Sequence, residues 1–209
     1  MRSFLLLLFS AGALTAQPIG FGIKGGLPFN DFLNAASNQS FHFDTTTNRY
    51  VLGASVELRL PFGLGVEVDA LYRHFGYNWA GNSGGTSYNA RGTGSAWEFP
   101  LLGKYKFKGI PLVRPYVEAG VAWDRLSGLT ETVSAAAGAV INGNPFSPVV
   151  SKEVTTGFVI GAGLDIRALI LHVTPEIRYT RWADQHLTSP NSLLTSNQNQ
   201  AEFLVGITF

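Results

Sequence analysis

At 209 residues the chain is long enough for one domain and short for two, and a formal net charge of +1 offers no electrostatic reason to bind nucleic acid. Charged residues are only 14% of it, against about 25% in soluble domains, and they stand beside 24 glycines and 12% aromatics, a balance that suits a protein whose outside faces lipid. The absence of cysteine excludes thiolate metal sites and cysteine nucleophiles.

Residues 1–16 have the form of a signal peptide. Arg2 supplies the positive start, Phe4 to Phe9 the apolar run, and small residues lead to Ala16 before the expected cut; cleavage after Ala13 is the alternative. The domain to be folded is then 17–209. No segment has the ~20 apolar residues that a spanning helix needs. Membrane insertion therefore demands a closed barrel, which leaves no strand edge unpaired in lipid.

Eight strands are predicted in chain order, at about 18–26, 48–60, 64–77, 94–107, 114–126, 154–167, 169–182 and 200–209. The architecture is all-β: an eight-stranded, antiparallel, up-and-down transmembrane β-barrel. Three connections are tight, at Pro61-Phe62-Gly63, Lys108 to Val113 and Arg167-Ala168-Leu169. The others, at 27–47, 78–93, 127–153 and 183–199, are long and rich in Asn, Ser, Thr and Gly. Short turns at one end and long loops at the other match an outer-membrane barrel, with the turns periplasmic and the loops outside. The apolar run 133–141 allows two further strands, but eight is the expected count. Pro100 and Pro175 fall inside strands, so a bulge or irregularity is expected at each.

A side-chain period of two sorts each strand into two faces. In the third, Val66, Val68, Ala70 and Tyr72 oppose Glu67, Asp69 and Arg73. In the second, Leu52, Ala54, Val56 and Leu58 oppose Glu57 and Arg59. Later strands add Glu98, Lys104, Glu118, Asp165, Glu176, Arg178 and Glu202 to the polar face, along with Lys24, Lys106, Arg114, Asp124 and Arg167. That face holds nine of the 14 acidic residues. Eight strands enclose a bore that side chains just fill, so the expectation is a packed ladder of ion pairs inside the wall, with an open polar channel as the alternative. Trp79, Trp97, Trp123 and Trp182 are expected in one aromatic girdle with Tyr50, Tyr77 and Tyr179 near the same level. Phe62, Tyr105, Phe107 and Phe209 mark the opposite rim.

The segments GIKGGLPF (22–29), WEFPLLGKYKF (97–107) and RPYVEAGVAW (114–123) resemble the small outer-membrane β-barrel family, the porin-family or OmpA- and OmpX-type barrel domains, over the whole mature chain. AEFLVGITF resembles the terminal strand of such barrels, which implies that Phe209 is a signal read by the assembly machinery. The resemblance implies a bacterial outer membrane, with its lipids and lipopolysaccharide as surroundings. No peptidoglycan-binding domain is expected after the barrel, so the resemblance is not expected to carry an anchoring role with it.

No cofactor, metal or catalytic site is expected. His186, near Asp184, and His42, near Asp44, are read as polar loop residues, although either would serve a lipid-modifying enzyme if a Ser or Asp partner reached it. His74 is expected on the lipid face near a rim, and His172 inside near the periplasmic end. Gly161 and Gly163 are expected to make room for large inward neighbours. The leading function is structural or surface interaction through the loops; the others are a narrow pore and a lipid-modifying enzyme.

Overall fold

The computed structural model describes residues 19–45, 50–83, 85–110, 112–135, 148–168, 171–189 and 192–209. The expected signal peptide lies outside them, as do residues 136–141 of the apolar loop run. Thirteen strands occur among the described residues: β1 (Ile19–Pro28), β2 (Leu33–Ala35), β3 (Phe41–Thr45), β4 (Val51–Arg59), β5 (Leu64–Ser83), β6 (Thr86–Lys106), β7 (Val113–Ala135), β8 (Val149–Val150), β9 (Val154–Ala168), β10 (Leu171–Trp182), β11 (Leu187–Thr188), β12 (Leu194–Ser196) and β13 (Asn199–Thr208).

Eight of these form the barrel. Every neighbour is antiparallel, running β1–β4–β5–β6–β7–β9–β10–β13 and closing where β13 pairs with β1, Gly22 opposite Thr208. Closure leaves no open edge within the wall, the condition for strands in lipid. Alternation makes the wall inside-out relative to a soluble domain. Phe21, Leu52 and Ile177 are 63%, 58% and 57% exposed on the outer face, while Glu98, Arg178 and Glu176 are 0%, 0% and 1% exposed within.

The wall is uneven in height. β1 and β4 have 10 and 9 residues, about what crosses a bilayer at ~9–11 residues per strand. β5, β6 and β7 have 20, 21 and 23. Residues 78–83, 86–93 and 127–135, expected as loop, instead continue these strands beyond the membrane, and β3 pairs with the top of β5 to make a four-stranded blade. Polar, hydroxyl-rich composition hid these strands, because one face of the blade meets water. The blade leaves the barrel at a bulge: Thr93 faces Thr130 but Ser95 faces Ser127, so β7 carries one extra residue, near Gly128 at φ 62°.

The long connections also hold a second small sheet, β2–β12–β11–β8, laid over the mouth. It packs on the inner face of the blade. Phe32, Leu33, Phe43, Phe75, Tyr77, Trp79, Leu187 and Leu194 are buried together there, an apolar core above the lipid.

The two prolines cause irregularity without a bulge. At Pro100 the β5–β6 ladder skips from Val68↔Leu101 to Leu71↔Glu98, and at Pro175 the β9–β10 ladder skips from Val173↔Ile166 to Glu176↔Gly163. Register is the same on both sides of each gap. A missing donor on one side removes local bonds but does not require an extra residue.

Candidate functional site: the filled bore and its cap

The inward residues form three tiers of charge. In the middle tier, Lys24 Nζ donates to Glu67 at 2.6 Å, Glu176 at 3.0 Å and Asp69 at 3.2 Å. Lys104 Nζ meets Glu67 at 2.7 Å and Glu118 at 3.3 Å. Arg178 meets Glu176 at 2.8 Å, Asp69 at 3.0 Å and Glu118 at 3.2 Å. Tyr116 donates to Glu176 at 2.5 Å, and Lys104 lies 4.6 Å from the centre of its ring. Gly161 and Gly163 face this tier; a Cβ there would sit 2.6 Å from Glu118 Oε1 and 2.7 Å from the Tyr116 ring. The missing side chains make room for these large neighbours.

Glu67, Glu118 and Glu176 bring carboxylate oxygens within 4.8 Å of one another, close enough to hold a metal ion. Two ammonium groups and a guanidinium already occupy that space, so the donor set does not fit one.

The lower tier, at the short-turn end, joins Lys106 to Glu57 at 2.5 Å and to Asp165 at 2.8 Å. His172 Nδ1 contacts Asp165 at 2.6 Å, and Arg59 lies 3.8 Å from Glu57. Arg114 and Arg167, expected on the enclosed face, are exposed at this rim, where the strands end and the wall no longer covers them.

The upper tier meets the cap. Arg73 bonds Glu98 and Gln200, and its guanidinium lies 5.9 Å from the ring centre of Phe32. Phe32 stacks on Phe75 at 4.5 Å and faces the His186 ring at 6.1 Å. Glu202 and Asp124 are buried beside them. His186, expected on an exposed loop next to Asp184, is 3% exposed, and Asp184 pairs with Lys152 instead. No periodicity marks a buried loop residue, so the sequence carried no signal for it. Its Nδ1 donates to the Lys152 carbonyl at 2.8 Å, its backbone N–H to Ser196 Oγ at 2.6 Å, and its Nε2 lies 3.3 Å from Asp124 Oδ2. That last contact pairs the ring with the Asp124 carboxylate as a charge pair when the ring is protonated. Burial opposes the charged ring, but the adjacent Asp124 carboxylate outweighs it, and the pKa stands above the ordinary 6.5.

His42 sits between Ser37 Oγ, 2.6 Å from Nδ1, and Asp44 Oδ2, 3.2 Å from Nε2. The Ser–His–Asp order is that of a hydrolase triad, but it lies on β3 and the turn before it, in water, with the His and Asp side chains 64% and 66% exposed.

The girdle expectation needs correction. Trp97, Trp123 and Tyr179 do face outward, as Phe107 does at the other rim, whereas Trp79, Trp182 and Tyr77 are buried inside. Trp79 and Tyr77 share parity with Glu67 and Arg73, and Trp182 shares it with Glu176 and Arg178. Glycines opposite admit the rings: a Cβ on Gly92 would be 2.1 Å from Tyr77, and one on Gly157 would be 2.6 Å from Trp182. Parity would have shown this, and it would also have shown Tyr116 inside with Glu118.

The model of a family described as an outer membrane protein beta-barrel domain matches residues 15–181. The chain belongs to that family. It is a β-barrel protein of the bacterial outer membrane. Among solved structures, this outer-membrane barrel is similar to the outer membrane protein OprG from Pseudomonas aeruginosa, with 13% identity, a TM-score of 0.50, and coverage of 91% of this chain and 94% of that one. It is also similar to the N-terminal β-barrel domain of Pseudomonas aeruginosa OprF, at 16% identity and TM-score 0.43, covering 91% and 97%. A third is Ail, the attachment invasion locus protein of Yersinia pestis, at 10% identity and TM-score 0.41, covering 91% and 99%. These likenesses concern the fold alone. No curated protein matches the chain by sequence.

Arg178→Ala in this outer-membrane barrel leaves Asp69, Glu118 and Glu176 short of a counter-ion. Breaking a buried pair costs about 3–5 kcal/mol, and the expected result is a lower urea midpoint for the detergent-refolded protein, with Arg178→Lys recovering part of the loss. The His186 pair gives a pH dependence. Because the folded pKa is raised, its stabilisation of the cap is complete below pH 6.5 and lost as pH rises through the folded value. Amide exchange in β11 and β12, corrected for intrinsic rate, should therefore accelerate over that window in the wild type and stay flat in His186→Gln.

Proposed function

We propose that this outer-membrane barrel is a closed, non-conducting scaffold that acts through its extracellular face and catalyses no reaction. The observation that carries the reading is the filled bore. The middle tier places buried, mutually bonded side chains of β1, β5, β6, β7 and β10 across the lumen, and the cap lies over the upper tier. An ion would have to part salt bridges in a low-dielectric interior, where each charge needs its partner. The uneven wall supports the surface role, since a rigid blade presents polar side chains well beyond the lipid.

The exposed Ser37–His42–Asp44 set favours no hydrolase, because catalytic electrostatics gain their strength where water is excluded. The terminal strand supports an assembly role for Phe209, whose side chain is exposed at the β1–β13 seam while its N–H donates to the Phe21 carbonyl at 2.9 Å. The barrel-interior charges are thus assigned to packing and Trp97, Trp123 and Phe107 to the lipid interface.

Purified protein in planar bilayers should give no sustained, concentration-dependent current at neutral pH. Stable single-channel steps altered by Glu67→Gln or Lys104→Gln would instead identify a pore.

A further inference from the structure

The outer face of the blade and the wall beneath it form one continuous surface on β6 and β7. Cross-strand register aligns Asp44, Asn78, Arg91 and Thr132 in a row across β3, β5, β6 and β7. All four side chains point away from the apolar core of the blade. This row crosses a shallow groove of about 680 Å³. Lower on the same face, a second groove of about 670 Å³ is bounded by Trp97, Phe99, Arg125 and Glu153. The Trp97 and Phe99 rings stack with centroids 6.3 Å apart, and Tyr72 lies 5.2 Å from Trp97.

Arg91 and Arg125 are exposed and form no ion pair with another described residue. Arg125 faces Trp97 across the strands, six positions below Arg91 on β6, so the two rows lie roughly 20 Å apart at ~3.3 Å per residue. The chemistry changes along this line. The Trp97 and Phe99 rings share the lower groove with the Arg125 guanidinium and Glu153, while amides, hydroxyls and a second guanidinium line the upper one.

We infer that this outward face of β6 and β7 binds a phosphorylated glycolipid of the outer leaflet, lipopolysaccharide, lengthwise. The acyl chain lies on Trp97 and Phe99. A phosphate takes Arg125, whose planar fork suits it. Sugar hydroxyls donate to Glu153 and Asp44 and accept from Asn78 and Arg91. The Asp44, Asn78 and Arg91 row discriminates, since it lies roughly 20 Å above Arg125, within reach of a saccharide and beyond that of a glycerol headgroup. The inference deepens the surface-interaction reading by naming the ligand class.

The test is native mass spectrometry of the detergent-refolded mature protein, titrated separately with purified lipopolysaccharide, its dephosphorylated form, and phosphatidylglycerol. The wild type should bind lipopolysaccharide best. Arg125→Gln should weaken that binding about tenfold and Arg91→Gln several-fold, and dephosphorylation should remove most of the Arg125 effect. Both arginines are exposed, so the variants should fold, which unheated gel mobility checks. Unchanged affinity in both variants overturns the inference. Equal affinity for phosphatidylglycerol overturns the saccharide half. A barrel that binds no lipopolysaccharide yet carries no current refutes this inference and leaves the closed-scaffold reading standing.

Discussion

Lys24, Lys104 and Arg178 face Glu67, Asp69, Glu118 and Glu176 inside a wall whose outer surface is apolar, and the rest of the molecule is arranged around that fact. The bore of an eight-stranded barrel is narrow enough for side chains from opposite walls to meet. Charges there can lower their energy only by pairing with each other, so each strand must present its ionic residues at the same height as its partners. Closure, register and inward parity are consequences of that requirement as much as of backbone hydrogen bonding in lipid. Small residues then become necessary where large ones converge, as Gly161 and Gly163 do opposite Glu118 and Tyr116.

Above the membrane the same strands solve a different problem. Water surrounds the blade, so its inward face becomes apolar and packs against β2, β11 and β12 in the ordinary soluble manner. The change from ionic to apolar interior occurs at Arg73, which reaches down to Glu98 and up to the Phe32 ring. His186 and Asp124 join cap to barrel at that level. One chain thus contains an inside-out domain in lipid and a small conventional core above it, sharing β5, β6 and β7.

The barrel itself was legible in the sequence because a side-chain period of two is strict and lipid tolerates little on its side of the wall. Strand β9 reads Phe158, Ile160, Ala162 and Leu164 outward with Gly161, Gly163 and Asp165 inward, and the structure has that arrangement. The blade was not legible because its outer face is polar: Asn78, Asn89, Arg91 and Thr132 look like loop residues unless their partners on the other face are counted. Trp79 and Trp182 were placed with the outward tryptophans by their height alone, although their parity put them inside. His186 and Phe32 lie in segments with no period, and only the packing of loop on loop reveals their burial.

The account rests on which faces meet lipid and which are enclosed. Since the chain has no cysteine, single cysteines along β4 can carry spin labels whose collisions with oxygen, which partitions into lipid, and with a water-soluble nickel chelate are read separately. Labels at positions 52, 54, 56 and 58 should be open to oxygen and closed to nickel, while those at 53 and 55 should be sheltered from oxygen. Alternation with the opposite phase, or nickel access along the apolar row, would contradict the orientation on which the filled bore depends.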